Sequence, residues 1–145
     1  MTSALRDMMA KATQAVTSAR LLLDAEDVDS ACNRAYYAMF SAARVALMNQ
    51  GQQPEALKTH GSVIGAFGLH FVKTGLIPRE TGKAINDVQE IRLAADYTAS
   101  NVSLADAIWA VKQAERFVSA VRGLLPDISE QYSNDQAPSK PLTAR

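Results

Sequence analysis

Apolar residues recur at spacings of three and four along most of this chain, beginning with Leu5, Met8, Met9, Ala12, Ala15, Val16, Ala19, Leu22 and Leu23. That spacing gathers them on one stripe of a helix over about residues 4–24. The acidic cluster from Asp24 to Asp29 breaks the pattern, and Asp27 or Asp29 is suited to cap the helix that follows. From Ser30 to Met48 the chain is apolar almost all round, with Ala31, Ala35, Tyr36, Tyr37, Met39, Phe40, Ala42, Val45, Ala46 and Leu47, which predicts the central helix of a bundle. Gly51 and the Gln-Gln-Pro stretch end it, and Thr59 predicts the cap of a third helix to about Lys73, with Val63, Ile64, Phe67 and Phe71 on its apolar side. Gly61, Gly65 and Gly68 each cost about 1 kcal/mol relative to Ala inside a helix, so they predict that a neighbour approaches this backbone closely. Gly75 closes the segment, and Pro78 suits the first turn of a fourth helix reaching about Tyr97. Ser103 and Asp106 have the spacing of a capping box ahead of a last helix carrying Leu104, Ile108, Val111, Ala114, Phe117, Val118, Val121 and Leu124, which Pro126 stops.

No alternating strand pattern interrupts these segments, so the expected class is all-α, an antiparallel bundle of four to five helices. The bundle is expected over residues 1–126. The remainder, 127–145, is polar with two prolines and one aromatic, and is expected to be a flexible tail.

Composition narrows the function classes. At 145 residues and 48% hydrophobic content, one domain with a sizeable core is expected. Fifteen basic and fifteen acidic side chains balance, so no overall field draws the chain to nucleic acid or membrane, and any RNA contact must be local. The single cysteine, Cys32, has no intramolecular disulfide partner, no apolar run approaches the ~20 residues of a membrane span, and a cytoplasmic location is expected.

The stretch Arg92-Leu93-Ala94-Ala95-Asp96-Tyr97 joins a cation, a carboxylate and a phenol near the end of the fourth helix. Arg92 and Asp96 share a stripe with Gln89 and Ile85, beside the apolar stripe of Ala84, Val88, Ile91 and Ala95, so Arg92 occupies a boundary position of the kind that lines clefts and interfaces. Such pairs are also ordinary on solvated helices, where they contribute only ~0.2–0.5 kcal/mol. Here the base precedes the acid, the less stabilising order, which leaves function open.

On the second helix, Asn33, Tyr37, Phe40 and Arg44 form one stripe and Arg34 lies beside it. Asn33 and Arg34 are expected to find hydrogen-bonding groups on another helix, with Asp96 a candidate partner for Arg34. A purely structural polar network fits the same residues. Tyr36, Tyr37 and Phe40 can be read as a base-stacking platform, but three aromatics within two turns of an apolar helix are read here as core. His60 and His70 lie ten residues apart, too far for a single-turn metal pair, so neither metal nor cofactor is expected. His60, at a helix start, suits either proton transfer or a local structural role.

Taken together, Asn33-Arg34-Ala35-Tyr36-Tyr37-Ala38-Met39-Phe40, Lys58-Thr59-His60, Phe67 to Gly75 and Arg92 to Tyr97 resemble the HEPN domain family over roughly Leu5 to Leu125. The likeness is closest to the small stand-alone prokaryotic branch, where Arg-Ala-Tyr-Tyr and a later Ala-Asp-Tyr recur. The resemblance implies a helical bundle that forms a homodimer with its functional motif in an interfacial cleft. It implies a toxin of a toxin-antitoxin pair, partnered by a minimal nucleotidyltransferase antitoxin, acting on RNA as a metal-independent ribonuclease, with no membrane or DNA partner. Many members of the family are ribonuclease toxins that use an Arg, four to six intervening residues and a His. Arg92 matches that Arg, but after four intervening residues the His position holds Tyr97 and no His follows. On the ribonuclease reading, Arg92 is expected to stabilise phosphate, Asp96 to orient Arg92 or Arg34, Tyr97 or His60 to move protons, and Asn33, Arg34 and Tyr37 to line the cleft or bind substrate. Tyr97 is also the candidate acceptor for adenylylation by the nucleotidyltransferase. The alternatives are a non-catalytic HEPN subunit that binds the nucleotidyltransferase and a nucleotide or substrate, and a structural helical dimer whose polar cluster fixes registry.

Overall fold

The computed structural model describes residues 1–125. The expected flexible tail at 127–145 lies outside the described residues. Five α-helices are described: α1 (Ser3–Asp24), α2 (Val28–Asn49), α3 (His60–Phe67), α4 (Arg79–Thr98) and α5 (Leu104–Gly123). A 3-10 turn at Pro54–Ala56 precedes α3, and a π-helical turn at Gly68–Val72 extends it. The chain is an all-α bundle, with no strand among the described residues.

Local chemistry sets the helix ends. Asp27, not Asp29, caps α2 by accepting from the Ser30 amide at 3.3 Å. Asp29 instead accepts from the Val102 amide at 2.7 Å, which ties the α4–α5 connection to the start of α2. Thr59 caps α3 reciprocally: its Oγ1 accepts from the Ser62 amide and its own amide donates to Ser62 Oγ. Gly51 and Gly75 have φ of +99° and +83°, so both occupy the left-handed region that glycine adopts without a Cβ clash. The third helical segment ends its α-helical part at Phe67, earlier than the apolar pattern suggests, and the wider π turn carries the chain on to Val72. Phe67 and Phe71 both remain buried through that turn, with ring centroids 5.0 Å apart.

Helix α2 packs against α1, α3, α4 and α5 and is the centre of the bundle, as its all-round apolarity predicts. Its buried face is mostly alanine: Ala31, Ala35, Ala38, Ala42 and Ala46. Alanines also line the facing sides of α1 (Ala12, Ala15, Ala19) and α5 (Ala107, Ala110, Ala114). Short side chains allow neighbouring axes to approach toward the close end of the ~8–10 Å range. The bulk of the core comes from Met9, Met39, Leu47, Phe67, Ile85 and Phe117, all fully buried.

The glycines of α3 do not mark a close approach. A Cβ added at Gly61, Gly65 or Gly68 meets nothing within 4 Å. The close approach lies at Gly82 in α4, where a Cβ would come within 2.4 Å of Val72 Cγ2. Sequence spacing could not separate the two, because a glycine in open space and a glycine under a neighbour look alike until the tertiary contact is made.

Two expectations follow. Gly65→Ala is expected to raise unfolding free energy by ~0.5–1 kcal/mol through helix propensity and a less free unfolded chain, while Gly82→Ala forfeits that gain through its clash; urea titrations of both variants check this. Cys32 is fully buried on α2, and burial pushes its thiol up to about 11 from an ordinary 9.0, with Arg92 partly offsetting the shift. Because the folded state holds the proton to higher pH than the unfolded chain, this stabilisation is complete below about pH 9 and is lost as pH rises toward about 11. Across that window wild type is expected to lose ~2–3 kcal/mol that Cys32→Ala does not lose, measured by urea unfolding at each end.

Candidate functional site

A polar and aromatic cluster gathers on α2 around Tyr36. Asn33, Tyr36 and Phe40 are three and four residues apart and emerge along one side of the helix, facing α3 and α4. The Arg92 guanidinium lies over the Tyr36 ring, 4.3 Å from its centroid. Its Nε donates to Asn33 Oδ1 at 2.8 Å and its Nη1 donates to Gln89 Oε1. Arg92 is half-buried, the boundary position its sequence stripe predicts. Its Nη2 donates to no group among the described residues and is available to an anion.

The other edge of Tyr36 meets α3. The reciprocal cap at Thr59 makes His60 the first residue of that helix, and His60 Nδ1 lies 2.7 Å from the Tyr36 hydroxyl. His60 Nε2 lies 3.2 Å from Asn86 Oδ1 on α4. An amide oxygen only accepts, so Nε2 carries the hydrogen and Nδ1 accepts from the Tyr36 hydroxyl. Asn86 Nδ2 in turn donates to Glu90 Oε1 at 3.5 Å. The result is a hydrogen-bonded series from Tyr36 through His60 and Asn86 to Glu90, with a guanidinium on the face of its first ring. Tyr36 is half-buried; burial holds its phenol above the ordinary tyrosine range, and the Arg92 charge pulls the other way.

The structure therefore brings together Arg92, Asn33 and His60 of the residues singled out in the sequence. It leaves the others apart from them. Asp96 is exposed and makes no hydrogen bond or ion pair with Arg92 or Arg34 among the described residues; Asn33 and Gln89 orient Arg92 instead. Arg34 lies over the Tyr37 ring at 4.8 Å and lines a groove with α1, on the opposite flank of α2 from Arg92. Asn33 and Arg34 are both exposed rather than deep. Tyr97 is 88% exposed near the end of α4.

Of the α2 aromatics expected in the core, Tyr36 and Phe40 pack against it and Tyr37 does not. Tyr37 is exposed, and Tyr36 and Phe40 are half-buried, stacked with centroids 5.8 Å apart. The cluster also holds Tyr36, read in the sequence as core, Gln89, placed there only on the Arg92 stripe, and Asn86, which the sequence did not single out. The signal for Tyr36 was its spacing of three from Asn33, and for Asn86 its spacing of four from Glu90; neither separates a site from a solvated helix face without the partner helix.

The described residues hold no cluster of three or more His, Cys, Asp or Glu side chains placed to bind a metal. No helix among them is long and apolar enough to cross a membrane. An open cleft of about 800 Å³ runs between α4 and α5, with Ile91, Ala95, Val102 and Trp109 among its walls. Leu93 and Tyr97 on α4 and Leu104, Ile108 and Trp109 on α5 are exposed apolar side chains.

Residues 5–124 match the HEPN domain family. A UPF0332 protein of Gloeobacter violaceus is 33% identical over 120 residues, covering 81% of this chain and 93% of the relative. A UPF0332 protein of Thermotoga maritima is 34% identical over 122 residues, covering 81% and 88%. A Methanocaldococcus jannaschii protein named "Putative toxin MJ0605" is 32% identical over 117 residues, covering 81% and 85%. With the match running from the first turn of α1 to the end of α5, on a bundle of the expected class, this chain belongs to the HEPN domain family.

Proposed function

We propose that this HEPN toxin-like protein cleaves RNA without a metal, using Arg92, Tyr36 and His60. The observation that carries the reading is the convergence of a guanidinium and an imidazole on one phenol: Arg92 on the Tyr36 ring and His60 at its hydroxyl. The His missing after Arg92 in sequence has a spatial counterpart in His60, delivered from α3. In this mechanism the 2'-hydroxyl of the RNA attacks the adjacent phosphorus, its proton passing to the Tyr36 oxygen as the Tyr36 proton passes to His60 Nδ1. Asn86 holds the imidazole through Nε2 and disperses the charge it gains. Arg92 meets the negative charge that builds on the phosphoryl oxygens, and the 5'-oxygen leaves with a proton from solvent. The products are a 2',3'-cyclic phosphate and a 5'-hydroxyl.

Toxin naming among the relatives supports the toxin side of this reading. The exposed apolar surface of Leu93, Tyr97, Leu104, Ile108 and Trp109 supports a homodimer, since surface of this kind marks association sites. The exposure of Tyr97 suits an acceptor that a nucleotidyltransferase antitoxin must reach, and adenylylation there places bulk and negative charge on α4, a little over one turn beyond Arg92.

One observation favours a second reading. Both ring nitrogens of His60 are hydrogen-bonded within the protein, as in a structural network, and this suits a non-catalytic subunit that binds a nucleotidyltransferase and presents a nucleotide or substrate.

Incubation of purified protein with total RNA in the presence of a chelator separates the two. Under the ribonuclease reading, wild type yields cyclic-phosphate ends, and Arg92→Ala and His60→Ala each lower the rate by ~10²-fold or more. Absence of cleavage by wild type, with retained binding of the nucleotidyltransferase, selects the second reading. If Tyr97 is the adenylylation acceptor, incubation with a cognate nucleotidyltransferase and ATP adds one adenylyl group by mass spectrometry, and Tyr97→Phe takes up none.

A further inference from the structure

Each flank of α2 carries a guanidinium laid on a tyrosine ring. On the α4 side it is Arg92 on Tyr36, and on the α1 side it is Arg34 on Tyr37, 4.8 Å from the centroid. The second pair opens onto a groove of about 200 Å³ between α1 and α2, lined by Lys11, Gln14, Ala15, Ser18, Arg34 and Tyr37. Lys11, Gln14 and Ser18 lie three and four residues apart, one stripe of α1 that faces the groove as a unit. No carboxylate lines the groove, and neither Lys11 nor Arg34 makes an ion pair among the described residues. In a chain whose charges balance overall, two unpaired cations beside a 43% exposed tyrosine are a local concentration of positive charge and aromatic surface.

That combination fits a phosphodiester with an unpaired base. The lysine supplies a compact charge, the guanidinium a fork of N–H donors for phosphate oxygens, and Gln14 and Ser18 further hydrogen-bonding groups. The exposed part of Tyr37 offers a face to a base, which a paired strand cannot present. Asn33, which holds Arg92, and Arg34, which lines this groove, are consecutive residues of α2. A helix with its side chains is ~10–12 Å across, so an extended single strand can cross α2 and reach both.

We infer that Lys11, Arg34 and Tyr37 form a second anchoring station for single-stranded RNA, which grips the strand on the α1 flank while the scissile phosphate lies at Arg92. This rests on the reading of the Arg92 cluster as an RNA-cleaving site. The station tethers and takes no part in the chemistry. It also accounts for the separation of Arg34 and Tyr37 from Arg92, which a single cleft does not.

The test is fluorescence anisotropy of a short fluorescein-labelled oligouridylate, titrated with full-length protein at several salt concentrations, with circular dichroism confirming the fold of each variant. Lys11→Ala combined with Arg34→Met is expected to weaken binding about tenfold or more and to flatten the slope of log affinity against log salt by about 0.7 per lost phosphate contact. Tyr37→Ala is expected to weaken binding about tenfold with the slope unchanged, because it removes stacking rather than a charge contact. If the double variant keeps wild-type affinity and slope while Arg92→Ala weakens binding, the groove is no station and the reading of the Arg92 cluster survives. If wild type binds no oligouridylate at low salt, both fail together.

Discussion

Close packing of α1 and α5 on α2, made possible by alanine, is the constraint on which the rest of this structure depends. Along α2, Ala31, Ala35, Ala38, Ala42 and Ala46 are buried, with further buried alanines on α1 and α5. Larger residues along those seams would push the helices apart and strain or void the core, since protein interiors tolerate little change in volume. Because α2 is enclosed on its alanine side, its polar and aromatic residues are confined to what remains. Asn33, Arg34, Tyr36 and Tyr37 emerge there, and the two flanking helices decide which neighbours each will meet.

Tyr36 is the hub of that remaining face. Its ring carries Arg92 and its hydroxyl meets His60, so one side chain couples a cation from α4 to an imidazole from α3. Neither partner is held by Tyr36 alone. Arg92 is fixed from two helices through Asn33 and Gln89, and His60 is fixed by the cap at Thr59 and by Asn86. Such redundancy is what holds a partly exposed cluster in one geometry, where a single surface hydrogen bond competes with water on nearly equal terms. Burial of the phenol outweighs the opposing charge of Arg92 at the same oxygen, which holds the proton on Tyr36 for donation to His60.

The motif that draws the eye in the sequence, Arg92 to Tyr97, is divided by the fold. Arg92 turns inward, while Asp96 and Tyr97 stand in solvent as α4 runs to its left-handed end at Ala99. The stripe Ile85, Gln89, Arg92, Asp96 passes from fully buried, through half-buried, to exposed along one helix. A periodic pattern assigns residues to a face but says nothing of how far along that face the neighbouring helix remains in contact. The same gap explains Arg34 and Asp96, whose opposite charges suggest a pair that the fold places on different sides of α2.

The sequence by itself determined the all-α class, the number and approximate limits of the helices, the central place of α2, and the boundary position of Arg92. These follow from local causes: apolar spacing, caps at Asp27, Thr59 and Ser103, and glycines at Gly51 and Gly75. Only the tertiary structure decided that His60 meets Tyr36, that Asn33 and Gln89 rather than Asp96 hold Arg92, that Arg34 faces α1, and that Gly82 is the glycine under a neighbour. Each of these joins residues from different helices or turns, and their meeting depends on the relative rotation and depth of packed elements. The geometry that packing imposes on whole helices is carried by no local stretch of the chain.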